Sequence, residues 1–499
     1  MKIPIELQTE VNLSVPEDGL DFKTLEQWCM QLVCVVFVEV LEQVLRALDE
    51  QLKETRDRAR YQINDFRERT VETLVGPVRI YRRYYEDVVT GERVFLLDRL
   101  LGLPKRVRLS SWLQTEVVQR AVRAPSYRKA AAGVSSILRA VSISHEGARQ
   151  QVLKAGTVVQ QQERELAFAE VPPPAELRSL PVLFIEADGI HCHQQGQQQS
   201  TRELQVGAVH EGWVPRYGEG SDEWALKHKR LWVTDEGWAA FWEGFSRIIH
   251  QYYDLSQTIV VINGDGDPGI RAGRDGFTDA KAVFFQYDPL HVNRRLKRIL
   301  AGRSGCQQTA IQAYQDGDWE TLEHVLKAHR VDLKRKLARS RGQPQQRRHL
   351  RQKLRDLKGL LGLLLEQPEI FQDYRQRLRM RGVDTTALRG MGNAESQVAV
   401  FADRLKLGRY AWSTGLKAMA KCLKADQLGT LEAVTAAAGD PEPLVPWDAA
   451  EFGSGRLTTD VTRAAVGAVN GHLAALDGPE QGKNFATFLR RFAAVHPVA

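Results

Sequence analysis

Two aspartates in the middle of the chain each follow a run of strand-forming residues. Asp188 ends the run in PVLFIEADG, and Asp265 ends the run in TIVVINGDGD. Carboxylates at neighbouring strand ends repel one another unless they share a cation, and hard divalent ions such as Mg²⁺ prefer oxygen ligands. Two such ions, about 3.5–4 Å apart, activate the attacking oxygen and stabilise the leaving oxygen in phosphoryl transfer. An Asp-Gly pair is also an ordinary turn, so each aspartate alone is weak evidence and the two together are stronger.

The elements around these aspartates follow the order strand, strand, strand, helix, strand, helix, strand. This is the order of the ribonuclease-H-like α/β fold, in which the first and fourth strands are neighbours. Asp188 and Asp265 would therefore meet although they are far apart in sequence. The predicted strands cover residues 182–187, 203–213, 229–234, 258–267 and 282–291, and the predicted helices cover residues 235–253 and 276–281.

A third carboxylate, Glu395, follows a long interruption of this pattern. Residues 300–390 are polar and helical in pattern, and GMGNAESQVAVF then predicts a helix that begins near Glu395. A helix packed beside the first strand would bring Glu395 to the two aspartates as a third metal ligand. Glu186 lies two residues before Asp188 on the same strand face and is an alternative ligand. Asp188 is preferred because it ends the strand.

The last strand ends in YDPLH, and VNRRLKRIL then opens a basic helix. His291 is predicted to bind the scissile or leaving phosphate, or to orient a carboxylate. The alternative is that Asp288 caps the helix and His291 is structural. A zinc site at His191, Cys192 and His193 is disfavoured, because neighbouring strand residues point to opposite faces and no second ligand pair lies nearby.

The N-terminal region combines a helical pattern with a segment of strand-like alternation. Residues 22–60 predict a long helix, either for a core or for oligomerisation, and residues 70–103 predict a β-hairpin with its turn at TGE. Arg79, Arg82 and Arg83 lie near tyrosines on this hairpin, a combination that suits contacts with phosphates and bases. A half-buried hairpin with a solvated basic face explains the same pattern equally well.

Residues 110–155 predict two helices separated by a short break, with the second helix capped at Ser144. This pattern fits a helix-turn-helix, although many helical hairpins do not bind DNA. Three consecutive prolines within residues 171–181 then mark a domain boundary.

The interruption contains a strongly basic stretch at residues 334–358. Eleven of its 25 residues are Lys or Arg and only Asp356 is acidic, so we expect it to follow a DNA backbone rather than to be a merely solvated face. The predicted DNA contacts in this stretch are Lys334, Arg335, Lys336, Arg347, Arg348 and Arg351.

Composition limits the class of protein. The 499 residues include 69 Lys and Arg against 62 Asp and Glu, a mild excess that points only weakly to a polyanionic partner. The five cysteines include no CxxC pair, which argues against a disulfide framework. The start lacks a signal-peptide pattern, and the apolar run LVCVVFV is too short for a bilayer, which needs about 20 apolar residues. We therefore expect a cytoplasmic, nucleoid-associated protein without a membrane partner.

Taken together, the segments GPVRIYRRYYEDVVTGERVFLLDRLLGL, EADG, NGDGD, QYDPLH and GNAESQV resemble the ISLre-two family of bacterial insertion-sequence transposases, a relative of the Mutator-like transposases and also described as an uncharacterised protein family. The resemblance runs from about residue 60 to residue 423. It implies a ribonuclease-H-like core with an all-α insertion, preceded by an α-rich DNA-binding region that contains a β-hairpin. It also implies a metal-binding triad at Asp188, Asp265 and Glu395. Asp267-Pro268-Gly269 departs from the small or aromatic residues of the family.

The expected function is that of a DNA transposase that cleaves transposon ends and transfers the 3′-OH to target DNA. Two Mg²⁺ ions, for which Mn²⁺ would substitute, are the expected cofactors, and a dimer or larger complex on terminal inverted repeats and target DNA is the expected assembly. The alternatives are an inactive or domesticated DNA-binding protein and a ribonuclease-H-like nuclease. The predicted segments are a helix at 1–60, a DNA-binding region at 61–170, a core at 181–299 and 391–423, a basic insertion at 300–390 and an appendage at 424–499.

Overall fold

The computed structural model describes residue 5 and residues 21–138, 142–196, 200–340, 343–406 and 411–439, with the side chains of residues 136–138 and 393–395 left aside. It is a mixed α/β protein that divides into two compact units. Among the described residues, unit 1 consists of residue 5, residues 21–117, 131–138, 142–144 and 435–439, and unit 2 consists of residues 118–130, 145–196, 200–340, 343–406 and 411–434.

Unit 1 is built on a long helix and an antiparallel hairpin. Helix α1 (Phe22–Thr55) has Asp21 as its N-cap, and the Asp21 carboxylate accepts a bond of 2.7 Å from the Thr24 N–H. Leu45 and Leu52 of α1 are buried against apolar residues of the sheet. The remaining elements of the sheet region are β1 (Tyr61–Thr73), β2 (Gly76–Asp87), β3 (Arg93–Val94) and α2 (Leu96–Leu100).

The main hairpin of unit 1 lies earlier in the chain than predicted. β2 pairs along its whole length with β1 through a turn at residues 74–75, whereas the turn at residues 90–92 leads only to the two-residue strand β3. The sequence did not indicate β1 because most of its side chains are polar and exposed, so the alternation that marks a half-buried strand is missing.

Arg79, Arg82 and Arg83 do not share a basic face, which corrects the prediction for this hairpin. Adjacent strand residues point to opposite faces, and Arg82 is 8% exposed and paired with Asp98. Arg83 is held by two carboxylates of α1, with Asp49 at 2.6 Å. Arg79 is exposed, and its Nε lies 3.8 Å from Glu42. Two of the three guanidiniums therefore hold unit 1 together.

Helix α1 also has a long apolar stretch. By length and composition, the helix could cross a membrane. Its most apolar 18-residue window has a mean hydropathy of 1.7, and 17% of that window is buried. The sequence expectation counted only the run LVCVVFV and so underestimated this stretch. Composition of one helix is weak evidence for a membrane span, and the cellular location stays a prediction.

The next three helices are α3 (Ser111–Arg123), α4 (Tyr127–Leu138) and α5 (His145–Phe168). The predicted break between two short helices falls partly on residues 139–141, which lie outside the described residues. Helix α5 is 24 residues long, belongs to unit 2 and buries Ala148, Val152 and Ala155. It is therefore longer than the second helix of a helix-turn-helix. The boundary predicted at residues 171–181 does not divide the two units, since residues on both sides of it belong to unit 2.

Unit 2 contains a five-stranded sheet with the strand order β12-β11-β5-β6-β9. β5 is parallel to β11, which is parallel to β12, whereas β6 is antiparallel to both β5 and β9. The elements of this region are β4 (Arg178–Ser179), β5 (Val182–His193), β6 (Thr201–His210), β7 (Trp213–Pro215), β8 (Trp224–Leu226), β9 (Arg230–Thr234), α6 (Trp238–His250), β10 (Tyr253–Asp254), β11 (Ile259–Gly264), α7 (Pro268–Arg271) and β12 (Ala282–Tyr287).

Alternation along β5 divides the apolar core into two layers. Leu183, Ile185 and Ala187 pack in the larger cluster, which includes aromatic side chains of α6. Val182 and Phe184 face the other way, into a smaller cluster that includes Tyr374. Because both faces are covered, β5 and β11 are almost continuously apolar, as expected for buried parallel strands.

The segment after the sheet is helical. Its elements are α8 (Pro289–Ile299), α9 (Ser304–Asp316), α10 (Trp319–Arg339), α11 (Pro344–Glu366), α12 (Tyr374–Arg379), α13 (Asn393–Leu405), α14 (Leu416–Gln427) and α15 (Leu431–Ala438). The predicted boundary at residue 424 lies inside α14, where Ala425 is buried. The remainder of the predicted appendage, residues 440–499, lies outside the described residues.

Substitution of Gly156 tests the packing of α5 on α14. An added Cβ would lie 2.5 Å from the Cα and 2.8 Å from the carbonyl oxygen of Ala418, so backbone would have to move. We expect Gly156→Ala to lower the free energy of unfolding by about 1–3 kcal/mol despite a helix-propensity gain of about 1 kcal/mol. Urea denaturation measures the change.

Gly276→Ala is the matched control, because its Cβ would meet only Ser246, at 3.5 Å. Equal stability of the two variants would contradict the close contact between α5 and α14.

Candidate functional site

Three aspartates lie at the same level across the parallel part of the sheet. The register pairs Asn263 of β11 with Glu186 of β5, and Gly264 of β11 with Tyr287 of β12. Continued past these pairs, it sets Asp265 level with Asp188 on one side and with Asp288 on the other. β11 and β12 end at this level, at the carboxyl edge where ligands of open α/β sheets bind. The prediction that Asp188 ends its strand is wrong, because β5 continues to His193 in its antiparallel pairing with β6.

The charge of Asp188 is destabilised where it sits. Burial raises the pKa of its carboxyl to about 6, and the charges of Asp265 and Asp288 contribute to the rise. Two neighbours oppose it: the Gly189 N–H donates a bond of 2.7 Å, and the imidazole of His291 lies close enough to act through its charge. A cation at this point would relieve the repulsion among the carboxylates.

Asp265 lies in a tight loop that also explains the unusual Asp267-Pro268-Gly269. The half-buried Asp265 accepts a bond of 2.9 Å from the Asp267 N–H. Asp267 in turn caps α7 by accepting a bond of 2.7 Å from the Gly269 N–H, with Pro268 at the first helical position. Gly266 has a φ of +82°, and a Cβ there would lie 2.7 Å from the ring of Tyr287. The loop therefore holds the carboxylate of Asp265 at the strand end.

Asp288 is a helix cap, as the structural alternative predicted. Its carboxylate accepts bonds of 2.8 Å from the Leu290 N–H, 3.3 Å from the His291 N–H and 2.9 Å from the Asn263 amide. Burial opposes ionisation of Asp288, but the donors around it outweigh burial and lower its pKa. These contacts leave Asp288 a structural role at the edge of the site.

His291 stands between the capping aspartate and the other two. Its Nδ1 lies 3.7 Å from Asp288, which is an electrostatic contact longer than a hydrogen bond. Asp288 is the largest cause of a raised pKa for the imidazole, and the charges of Asp188 and Asp265 add to it against the effect of burial. A protonated His291 can donate to an anionic group bound next to the carboxylates.

Glu186 is a structural residue that connects β5 to α13. It is 1% exposed, its Oε2 accepts a bond of 3.1 Å from the Gly392 N–H, and its Oε1 lies 3.4 Å from Nε2 of the buried His210. Gly392 is the residue before the first turn of α13, which contains Glu395. The backbone at Glu395 is therefore tied to the strand of Asp188, and the Glu395 side chain lies outside the described residues.

A basic cavity of about 500 Å³ opens beside Asp265 and His291. Arginines of α7 and α8 line it, together with Tyr287, whose hydroxyl accepts a bond of 3.0 Å from Arg295. The lining arginines are Arg271, Arg294, Arg295 and Arg298. The sequence signal for them was the basic helix after YDPLH, but its spacing alone did not indicate which residues face the aspartates.

The six predicted DNA contacts of the insertion lie on α10 and α11. Arg347 is half-buried and donates a bond of 3.0 Å to the Leu337 carbonyl, and Lys336 pairs with Asp332 at 3.2 Å. The other four, Lys334, Arg335, Arg348 and Arg351, are exposed. Contact of all six residues with DNA stays a prediction. Arg347 also has a structural role, because its bond to the Leu337 carbonyl joins α11 to α10.

Within the part of the chain that the structure describes, no group of three His, Cys, Asp or Glu side chains is placed to hold a metal ion. The predicted triad includes Glu395, whose side chain lies outside the described residues. Asp188 and Asp265 themselves fit a hard cation, because they are oxygen donors and because burial, together with the neighbouring carboxylates, raises the pKa of Asp188. His191 and His193 are exposed and Cys192 is buried, so these three do not converge.

The fold and site thus define a mixed α/β protein whose central sheet gathers acidic residues beside an arginine-lined cavity. The chain belongs to an uncharacterised protein family, UPF0236, whose model matches residues 15–436. It is 30% identical over 308 residues to a Streptococcus gallolyticus protein described as "UPF0236 protein in vanSb 3'region". That alignment covers 60% of this chain and 64% of the relative, so less than two thirds of the relative's length is matched.

Asp188→Asn tests whether the site carries an unrelieved charge. Above pH 6 the folded protein bears an ionised Asp188 at a cost that the unfolded chain does not have, and below about pH 4 the carboxyl is protonated in both states. In EDTA at pH 8 we expect the variant to unfold at a free energy about 1–3 kcal/mol higher than wild type, with the difference vanishing as the pH falls from 6 to 4. Thermal denaturation across this pH range measures it.

Asp267→Asn serves as the control, because Asn also caps helices and Asp267 is exposed. A destabilised Asp188→Asn at pH 8 would mean that the carboxylate is held by favourable contacts.

Proposed function

We propose that this protein is the DNA transposase of an insertion sequence, which cleaves the transposon ends and joins the 3′-OH to target DNA. The observation that carries the proposal is the level placement of Asp188 and Asp265 across β5 and β11, beside a cavity lined by arginines. A phosphodiester with its divalent cations is a ligand for such a combination of acidic and basic side chains.

The topology supports a ribonuclease-H-like core for unit 2. Numbered along the chain, the five strands lie in the order five, four, one, two, three, and the second runs antiparallel to its neighbours. This order brings the ends of the first and fourth strands together, as the proposal requires. The helical segment of α9 to α12 stands where the all-α insertion is expected.

Asp188, Asp265 and Glu395 would hold the metal ions. When bound, such ions lower the pKa of an attacking water or hydroxyl and stabilise charge on the leaving oxygen. The arginines of α7 and α8 bind the non-bridging phosphate oxygens and orient the phosphodiester. His291, whose raised pKa favours the protonated imidazole, donates an N–H hydrogen bond to the same phosphate. Glu186 keeps the first turn of α13 at the strand of Asp188.

The test is strand transfer by the purified protein in Mg²⁺ or Mn²⁺, with a labelled duplex that carries the inverted repeats flanking the gene. We expect wild type to cleave the 3′ end and join it to target DNA. Asp188→Asn, Asp265→Asn and Glu395→Gln should each reduce both steps at least about 100-fold, since even residues behind metal ligands contribute about 10–100-fold. Asp267→Asn, in the same loop, should retain activity.

Each departure from this result has a defined meaning. Activity that survives Glu395→Gln but not Asp265→Asn would show that the third ligand is another residue. Metal-dependent cleavage without joining would replace the transposase with a nuclease. Specific binding to the repeats with no cleavage in either metal would favour an inactive DNA-binding protein.

A further inference from the structure

Unit 1 contains a second, larger basic cavity that the proposed reaction does not use. Its volume is about 940 Å³, and its walls come from β1, β2, β3, α2 and the loop at residues 104–108. Eight cationic and three acidic side chains line it. Such an excess of positive charge around a concave surface attracts an anion much more strongly than the same charges on a flat face.

The floor of the cavity holds two guanidiniums and one carboxylate. Arg69 lies 3.3 Å from Oδ2 of Asp98, and Arg82 binds the same oxygen. One negative charge therefore faces two positive charges in a nearly buried position. Burial first, and then the charges of Arg69 and Arg67, lower the pKa of Arg82 to about 10. An anion in the cavity would balance the remaining charge.

Arg82 also has an unused donor. The residue is 8% exposed, and its Nε has no hydrogen-bond partner among the residues that the structure describes. Leaving such a buried donor unpaired is costly. Its guanidinium is fixed by stacking over Phe95, with 3.8 Å between the central carbon and the ring centroid. Arg82 is thus fixed in the lining of the cavity, and its positive charge lies there with a buried N–H that the fold leaves unsatisfied.

The loop at residues 104–108 adds cations that are held in place before any ligand arrives. Arg69 donates to the carbonyl oxygens of Pro104, at 2.8 Å, and of Val107. The Glu72 N–H donates a bond of 2.7 Å to the Arg108 carbonyl. Arg106 has a φ of +64°, a left-handed conformation that disfavours a side chain.

We propose that this cavity binds the phosphodiester backbone of DNA. It is too large for one phosphate, and its cations are spread over three strands and a loop, which fits consecutive phosphates of one strand. Tyr84 and Phe95 in its lining hold arginine planes and do not read bases. Binding is therefore expected to be independent of sequence. The inference rests on the proposed function only for the choice of DNA as the phosphodiester.

The test measures binding of the full chain to a fluorescein-labelled duplex of about 30 base pairs by anisotropy, in EDTA and over a range of salt concentrations. The triple variant Arg93→Ala/Arg106→Gly/Arg108→Ala removes three exposed cations of the cavity. We expect its Kd to rise at least about tenfold, and the slope of log Kd against log salt to fall by about 2–3, near 0.9 for each lost phosphate contact.

Two variants separate binding from folding and from net charge. Arg106→Gly alone should weaken binding and leave the melting temperature unchanged or higher, because glycine prefers the left-handed backbone. Arg58→Ala removes an exposed arginine of unit 1 that does not line the cavity, and should bind DNA as wild type does.

The outcomes distinguish this inference from the proposed reaction, since binding is measured without metal. Loss of binding in the triple variant supports the cavity even if no cleavage is ever found. A triple variant that binds like Arg58→Ala overturns the inference even if strand transfer succeeds. Weak DNA binding together with tight, cavity-dependent binding of inorganic tripolyphosphate would also overturn it, in favour of a small polyphosphate ligand.

Discussion

The parallel pairing of β5 with β11 and of β11 with β12 is the constraint on which the candidate site depends. The parallel register sets three aspartates that are distant in sequence at one level, where β11 and β12 end and β5 continues. Burial first, and then the charges of Asp265 and Asp288, raise the pKa of Asp188 at this level. The ionised form of Asp288 is stabilised instead, because the N-terminal N–H groups of α8 and the Asn263 amide donate hydrogen bonds to its carboxylate. Asp188 and Asp265 have less support and are therefore the pair left for a ligand.

Arginine has two different roles in this chain. On β2, Arg83 faces Asp49 and Glu50 of α1 and holds the helix to the sheet. In the cavity beside Asp265, arginines of α7 and α8 line a space that protein atoms do not fill. The first kind pairs with carboxylates of a neighbouring helix, and the second lines a cavity that could admit an outside anion.

Apolar strands were predictable from the sequence, and polar ones were not. The runs that contain Asp188 and Asp265 are strands in the structure because buried parallel strands need uninterrupted β-branched residues. Most of β1 was not predicted, because its exposed side chains do not alternate between apolar and polar. The helical character of the insertion was predictable from the sequence, but the partners of Arg82 and Arg347 depend on tertiary contacts that spacing does not encode.

The acidic edge of the sheet was accessible to the same reasoning through strand order, although Asp188 was wrongly predicted to end its strand. The arginines that line the neighbouring cavity could not be predicted in the same way. The sequence shows that the helix is basic, but only the fold shows which of its side chains face the aspartates. The role of Glu186 was also misjudged. A buried carboxylate that accepts a backbone N–H from a segment 206 residues away has no local signature.

That bond between Glu186 and Gly392 has a consequence for how the protein is made. A ribosome adding about 5–20 residues per second needs roughly 10–40 s to pass from one partner to the other. During this time β5 is already synthesised while the segment that anchors α13 is absent. The anchor of α13 beside the acidic edge is therefore missing on the nascent chain until synthesis has passed Gly392, and its assembly depends on contacts of high sequence separation, which form slowly.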